Sequence, residues 1–230
     1  GLSFAGYIAI RIFGVTRGPL VFGLVGGLAS STAVTVTASR LARADSAHVN
    51  PFAGAIGLAG AVMMVRVAVF TALIAPGLLA ALWLPLAAGA AVIAVAAGAV
   101  ALTARGAEVT DFAIEPPRDF WFAVVFGCVM AAIGVGVVYG ERWFGHAGLY
   151  AIAILSGPFD VDAFTLSAAR GAGSTIALQP AADAILLAVA VNTLGKAVIA
   201  FALGGAALGV RTALISGLAV AAGAAAWALS

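Results

Sequence analysis

Four charged side chains lie within otherwise apolar segments of the sequence: Arg66, Asp160, Asp162 and Lys196. A charge near the centre of a bilayer costs roughly 2.5–3.5 kcal/mol on insertion scales, so charges retained there are candidates for function. The two carboxylates offer oxygen ligands to a hard cation or a proton. The two basic groups could balance them when no ion is bound. This set indicates ion chemistry inside a membrane.

Helical spacing gathers further oxygen atoms near these charges. Asp162 and Thr165 share a helix face at a spacing of three, and Asn192 and Lys196 are four residues apart. The predicted ion- or substrate-binding residues are Asp160, Asp162, Thr165, Asn192, Ser30, Ser31, Thr32 and Thr35. Asp162 and Asp160 are the predicted metal ligands, for a bound cation such as Mg or Na, and Lys196 and Arg66 the predicted charge-compensating residues. No organic cofactor is expected.

Each of these residues also has a purely structural reading. Serine and threonine hydroxyls in membrane helices often bond to their own backbone or hold helices together. Asp160 could serve only as a helix N-cap. An Arg66–Asp or Lys196–Asp pair could be a structural ion pair. The GxxxG pairs, such as Gly23 and Gly27, are typical of close helix packing.

The elements that must position these residues are membrane helices. Only 9% of the 230 residues are charged and 64% are hydrophobic, whereas a soluble domain carries about 25% charged residues. Apolar runs long enough to span a bilayer occur at 85–104, 120–140, 184–205 and 212–229. Because these runs do not alternate with polar residues, helices are favoured over a barrel. The predicted fold is an all-α membrane protein, a polytopic helical bundle.

The chain also contains two similar halves. Residues 27–40 and 157–170 match at a constant offset of 130, and the same offset places Arg66 opposite Lys196. This predicts a first repeat over 1–104, a polar linker over 105–118 and a second repeat over 119–230, all within one integrated transmembrane domain. The helix near 119–140 corresponds to positions before residue 1, so we expect the first helix of the first repeat to begin upstream.

A broken or re-entrant helix is predicted in each repeat, at 19–43 and 148–170. Pro158 cannot continue a regular helix, and Gly26 and Gly27 weaken the corresponding place in the first half. Ser30 and Asp160 follow as N-cap residues. If the broken segments turn back, the repeats are inverted and most loop arginines lie on one side of the membrane, as the positive-inside rule favours. If they cross, the repeats are parallel.

The residue types give little support to other classes of function. Cys128 is the sole cysteine, and the local sequence around each of the two histidines contains no further histidine or cysteine, which disfavours a soft-metal site. The cations are scattered, so no nucleic-acid partner is expected. Asp160 and Asp162 are too close in sequence for the paired carboxylates of an intramembrane protease, and no serine–base arrangement occurs. We therefore expect no enzymatic activity.

Several strings resemble one bacterial family: GLSFAGYIAIRIFG, GLVGGLASSTAVT, WFGHAGLY, LSGPFDVDAFTLS and VNTLGKA. They are similar to the membrane domain of unknown function that follows the MgtC/SapB domain in two-part bacterial proteins. The resemblance implies a multi-pass protein of the bacterial inner membrane, an N-terminal MgtC-like domain in a longer protein, and an association with magnesium or other cation homeostasis. The family motif positions carry onto Ser30, Ser31, Thr32, Asp160, Asp162, Thr165, Asn192 and Lys196.

The sequence therefore predicts a secondary transporter or ion-conducting protein for a small inorganic ion, with its site at the repeat interface. A hard cation or a proton-coupled ion suits the carboxylates. Helix N-termini and two cations leave an anion open. The alternative is a non-transporting membrane regulator or scaffold of another membrane protein, which the small-residue faces and the expected upstream domain motivate. A homodimer is left open.

Overall fold

A computed structural model describes residues 18–44, 48–103, 128, 135, 139 and 144–229. Apart from an isolated bridge between Ala172 and Ile176, the ordered elements of these residues are helices. The predicted linker at 105–118 lies outside the described residues, and of the predicted helix at 120–140 only Cys128, Val135 and Tyr139 are described, each helical. The helices are α1 (Gly18–Ala29), α2 (Ser31–Ala44), α3 (Val49–Ile74), α4 (Pro76–Leu102), α5 (Phe144–Ser156), α6 (Val161–Gly171), α7 (Leu178–Ile199) and α8 (Ala206–Ala228).

Four of these helices, α3, α4, α7 and α8, are long and apolar enough to cross a membrane. The 26 residues of α3 extend roughly 39 Å at the rise of an α-helix, more than the hydrocarbon core of a bilayer. Large apolar side chains on their outer faces are exposed, among them Leu73, Val95 and Val198. The protein is therefore a multi-pass membrane protein whose outer helix faces meet lipid.

The broken helices lie where the sequence predicts them. Only Ser30 separates α1 from α2, and residues 157–160 separate α5 from α6. The Ser30 Oγ accepts the Ala33 N–H at 3.2 Å, and the Asp160 Oδ1 accepts the Asp162 N–H at 2.8 Å. Both residues are thus N-caps, because they satisfy amides that have no partner within the first helical turn.

Helix boundaries recur at the offset found in the sequence. The helix α6 begins at Val161, 130 positions after Ser31, and α8 begins at Ala206, 130 positions after Pro76. Ala75 lies between α3 and α4, and Gly205 occupies the corresponding position, where its φ of 88° favours glycine. The correspondence is not complete: α5 ends at Ser156, three residues before the counterpart of Ala29, and α7 ends in a π-helical turn over Ala200–Gly204.

Helices of the two halves pack against each other. The helix α3 contacts α6, α4 contacts α8, and α2 contacts the π-helical end of α7. The main apolar core is accordingly continuous, with Phe52 and Ile56 from one half beside Phe164 and Ile185 from the other. This interlocking brings α6 of the second half against α3 of the first.

Close backbone approach makes Gly23 sensitive to substitution. A Cβ added there would lie 2.4 Å from the Ala55 carbonyl oxygen, so α1 would have to move away from α3. Gly23→Ala is expected to destabilise the protein by about 1–3 kcal/mol, the range for overpacking. Gly98→Ala is the control, because a Cβ there meets nothing within 4 Å. Thermal unfolding in detergent should separate the two variants, and equal stability would contradict this packing.

Candidate functional site

An ion pair between Arg66 and Asp162 joins the two halves. Arg66 lies in α3, and Asp162 is the second residue of α6. The Arg66 Nη2 donates to the Asp162 Oδ2, and the Nη1 donates to the Gly27 carbonyl at 3.0 Å. The guanidinium also lies over the Phe70 ring, 5.9 Å from its centroid. The two charged side chains retain only 20% and 17% exposure, so the pair is largely removed from the surface.

Lys196 lies in a second polar cluster on α7. Its side chain is 1% exposed, and its Nζ donates to the Asn192 Oδ1 and, at 3.4 Å, to the Asn192 carbonyl. The Asn192 Nδ2 in turn donates to the Gly157 carbonyl at 2.6 Å. Asn192 therefore connects a buried ammonium to the backbone at the break between α5 and α6.

These two clusters correspond at the offset of 130. Gly27 corresponds to Gly157, and Arg66 to Lys196. In each half the long helix supplies a donor to the glycine carbonyl that precedes the break. The first half does so directly through Arg66, whereas the second half does so through the Asn192 amide. Val62 stands at the position that corresponds to Asn192, and a guanidinium needs no such intermediary because it carries five donors.

Asp162 retains a carboxylate oxygen without a hydrogen-bond partner. Its Oδ1 is buried and has no hydrogen-bond partner among the described residues. Lys196 and Asp162 form no ion pair within 4 Å. Arg66 therefore pairs with the carboxylate directly, as a charge-compensating residue would, whereas Lys196 binds an amide instead. A buried, unpaired acceptor is costly unless something satisfies it.

The predicted hydroxyl residues are used mainly within their own helices. Thr35 donates to the Ser31 carbonyl and Thr165 to the Val161 carbonyl, both at 2.8 Å, and both threonines are fully buried. Ser30 is the cap described above. Thr32, which corresponds to Asp162, is half-buried. The hydroxyl hydrogens of both threonines are therefore used in bonds to their own helices, as the structural alternative predicts. Each hydroxyl oxygen still has a lone pair that can accept a hydrogen bond.

Few carboxylates in this region could bind a cation. Within the described ranges, no group of three or more His, Cys, Asp or Glu side chains is arranged to hold a metal ion. Asp160 uses its Oδ1 as the cap of α6, and Asp162 shares its Oδ2 with Arg66. An ion here would rely on the remaining carboxylate oxygens together with neutral oxygens, which suits a hard cation or a proton better than a soft metal.

A groove of about 620 Å³ reaches Arg66 from the outer surface of α1, α3 and α4. Its other lining side chains are apolar, including Leu24, Leu28, Val65 and Phe70. Among the described lining residues, Arg66 is therefore the only polar one.

The sequence did not identify the two glycine carbonyls as part of the site. A signal was present, because Gly27 and Gly157 recur at the same offset as the two basic residues. Recurrence of a glycine usually indicates close packing, and Gly157 does lie against α7, where an added Cβ would be 2.9 Å from the Ala188 carbonyl oxygen. The hydrogen bond to its carbonyl is visible only in three dimensions.

Two substitutions at Asp160 separate its capping role from a role of its charge. Asp160→Ala removes the acceptor of the Asp162 N–H and is expected to cost about 1 kcal/mol of stability. Asp160→Asn keeps that acceptor, so stability should change little. If the charge also binds an ion, Asp160→Asn should weaken ion binding at unchanged thermal stability, measured by unfolding and by an ion titration. Unchanged binding in Asp160→Asn would limit Asp160 to the cap.

Comparison with known proteins gives two matches. The profile of a family described as "Domain of unknown function (DUF4010)" matches residues 1–204. A protein of Aquifex aeolicus (strain VF5), named "Uncharacterized protein", is 35% identical over 182 residues, which is 77% of this chain and 78% of that protein. No solved structure matches.

Proposed function

We propose, for a chain that belongs to the DUF4010 family of unknown function, that the protein is a secondary transporter or ion-conducting protein of the bacterial inner membrane. Its substrate is a small inorganic ion, either a hard cation or an ion coupled to protons. Asp162 is the residue that binds the ion or the proton. Arg66 and Lys196 balance its charge when the ion is absent.

One observation carries this proposal: Asp162 has a buried carboxylate oxygen without a partner, at the contact between α6 and α3. A carboxylate used only for structure would be expected to have both oxygens satisfied. Asp162 instead leaves one oxygen free and pairs with only one of the two basic residues, Arg66. That arrangement suits a carboxylate whose partner changes.

The recurrence of helix boundaries supports two homologous repeats, each with a broken helix. Transporters built from repeats bind substrate and coupling ion where discontinuous helices meet near the midplane. The ion pair supports this reading, because Arg66 of α3 contacts Asp162 after one break and the Gly27 carbonyl before the other. We favour the inverted arrangement of the repeats, because it places most loop arginines on one side.

The exchange of partners would proceed as a competition. In the ion-free state Arg66 holds the Asp162 Oδ2 and the Gly27 carbonyl. A cation or proton that reaches the free Oδ1 neutralises the carboxylate and weakens its attraction for the guanidinium. Arg66 still keeps its bond to the Gly27 carbonyl, so its release from Asp162 does not leave it without a partner. The α3–α6 contact thereby gains a second arrangement, as alternating access requires.

The test is an ion-flux screen of the purified protein in proteoliposomes, run for hard cations, protons and small anions, with Asp162→Asn in parallel. Cation or proton flux that depends on Asp162 is the expected result. Flux of an anion alone would assign the site to an anion held by Arg66, Lys196 and the helix N-termini. Absence of any flux, together with co-purification of a stable membrane partner, would instead identify a regulator or scaffold.

A further inference from the structure

An apolar cavity between α4, α7 and α8 lies apart from the ion pair. Its volume is about 280 Å³, and its lining is almost wholly aliphatic, with Leu86, Leu187 and Val220 among the contributing side chains. The cavity contains one carboxylate, that of Asp183, and one indole, that of Trp227. Among the described lining residues Asp183 is the only charged one, and it is half-buried.

Asp183 is held in place by neutral donors. The Gln179 Nε2 donates to its Oδ1 at 3.0 Å, and the Trp227 Nε1 donates to the same oxygen at 3.1 Å. Among the described residues no basic side chain pairs with Asp183, and its Oδ2 takes part in neither bond. The carboxylate is therefore oriented by neutral donors and has no basic partner among the described residues, which complements a cationic ligand.

Comparison with the first half shows that this cavity is not a consequence of the repeated architecture. At the offset of 130, Asp183, Gly223 and Trp227 correspond to Ala53, Ile93 and Ala97. Those three residues are fully buried and fill the equivalent space between α3 and α4. In the second half, glycine in place of isoleucine leaves a space, and a carboxylate and an indole border it.

The location of the cavity defines the kind of ligand. Asp183 lies in the second turn of α7 and Trp227 in the last turn of α8, so both are near helix ends. Tryptophan is enriched at that level of membrane proteins, where headgroups begin. We propose that the cavity binds a membrane lipid whose headgroup carries a primary ammonium. The ammonium contacts Asp183, and an acyl chain occupies the apolar space.

Native mass spectrometry of the full chain tests this site. The protein is purified from vesicles of equal phosphatidylethanolamine and phosphatidylglycerol, and the retained lipid is identified. The wild type is expected to prefer phosphatidylethanolamine by about tenfold, the effect of one charge-assisted hydrogen bond. Asp183→Asn should remove this preference while preserving the bonds from Gln179 and Trp227, so the variant should remain folded.

A second variant addresses the apolar part of the cavity. Ala224 lines the cavity and is exposed, so Ala224→Leu should reduce retained lipid without a clash. Ala225→Leu is the matched control, because Ala225 is exposed and does not line the cavity. The proposal is overturned if Asp183→Asn keeps the wild-type lipid preference, or if Ala224→Leu and Ala225→Leu retain equal lipid. These outcomes do not depend on ion flux, so they are independent of the proposed function.

Discussion

Ion flux through Asp162→Asn proteoliposomes is expected to fall to the leak of protein-free liposomes. The substitution keeps the size of the side chain and one carbonyl oxygen, but it removes the charge that would bind a cation or exchange a proton. It also leaves Arg66 without its ionic partner. Flux measured with the ion identified in the screen checks this result, with protein incorporation quantified in the same liposomes.

Two further variants make the Asp162 result specific. Thr71→Val is the control, because Thr71 is a buried polar residue of α3 whose hydroxyl donates only to its own helix, at the Val67 carbonyl. Its flux should match the wild type.

Arg66→Gln should increase the apparent affinity for a cation by about tenfold, because the competitor for the carboxylate is gone. It should also reduce stability, at the low end of the roughly 3–5 kcal/mol seen when one partner of a buried pair is lost. Wild-type flux in Asp162→Asn would remove Asp162 from the mechanism.

The second large effect is expected at Asn192. Asn192→Val removes both the donor to the Gly157 carbonyl and the acceptor of the buried Lys196 ammonium. Two buried polar groups lose a partner, one of them charged, so the free energy of unfolding should fall by about 3 kcal/mol or more. Thermal unfolding in detergent, monitored by size-exclusion chromatography, measures the loss. Thr193→Val is the control, since it places the same residue at the neighbouring buried position.

The first half of the chain indicates a second substitution that should restore the stability lost in Asn192→Val. There, valine at position 62 is compatible with a satisfied glycine carbonyl because Arg66 reaches it directly. The double variant Asn192→Val with Lys196→Arg copies this arrangement into the second half. It should recover most of the lost stability, because the guanidinium can reach the Gly157 carbonyl itself. If the double variant is as unstable as Asn192→Val alone, the correspondence between the two clusters is only apparent.

Much of the fold follows from local sequence. Apolar runs of span length predict α4, α7 and α8, although α4 begins nine residues earlier than the run at 85–104, at Pro76. A helix tolerates proline in its first turn, so α4 can begin at Pro76, whereas Pro85 lies within the helix and does not mark its start. Pro158 and the capping residues Ser30 and Asp160 locate both breaks, because their effects act within a single turn.

Much of the site follows from composition in the same way. Arg66, Asp160, Asp162 and Lys196 stand out because charge is costly in lipid wherever the chain folds. Periodicity also predicts that Asn192 and Lys196 share a face, which their hydrogen bond confirms. The sequence did not decide whether the Thr35 and Thr165 hydroxyls bond to their own helices or bind a ligand. A hydroxyl can reach a backbone carbonyl of its own helix as easily as a ligand.

The sequence alone determined that this chain is a bundle of membrane helices with two breaks and a few buried charges, because these properties depend on residues close together along the chain. The tertiary structure decided which charges meet. It pairs Asp162 with Arg66 of the other half, brings Lys196 into a hydrogen bond with Asn192, and leaves a cavity beside Asp183. Such pairings depend on how helices distant in sequence pack, and several pairings of two acids with two bases satisfy the same composition.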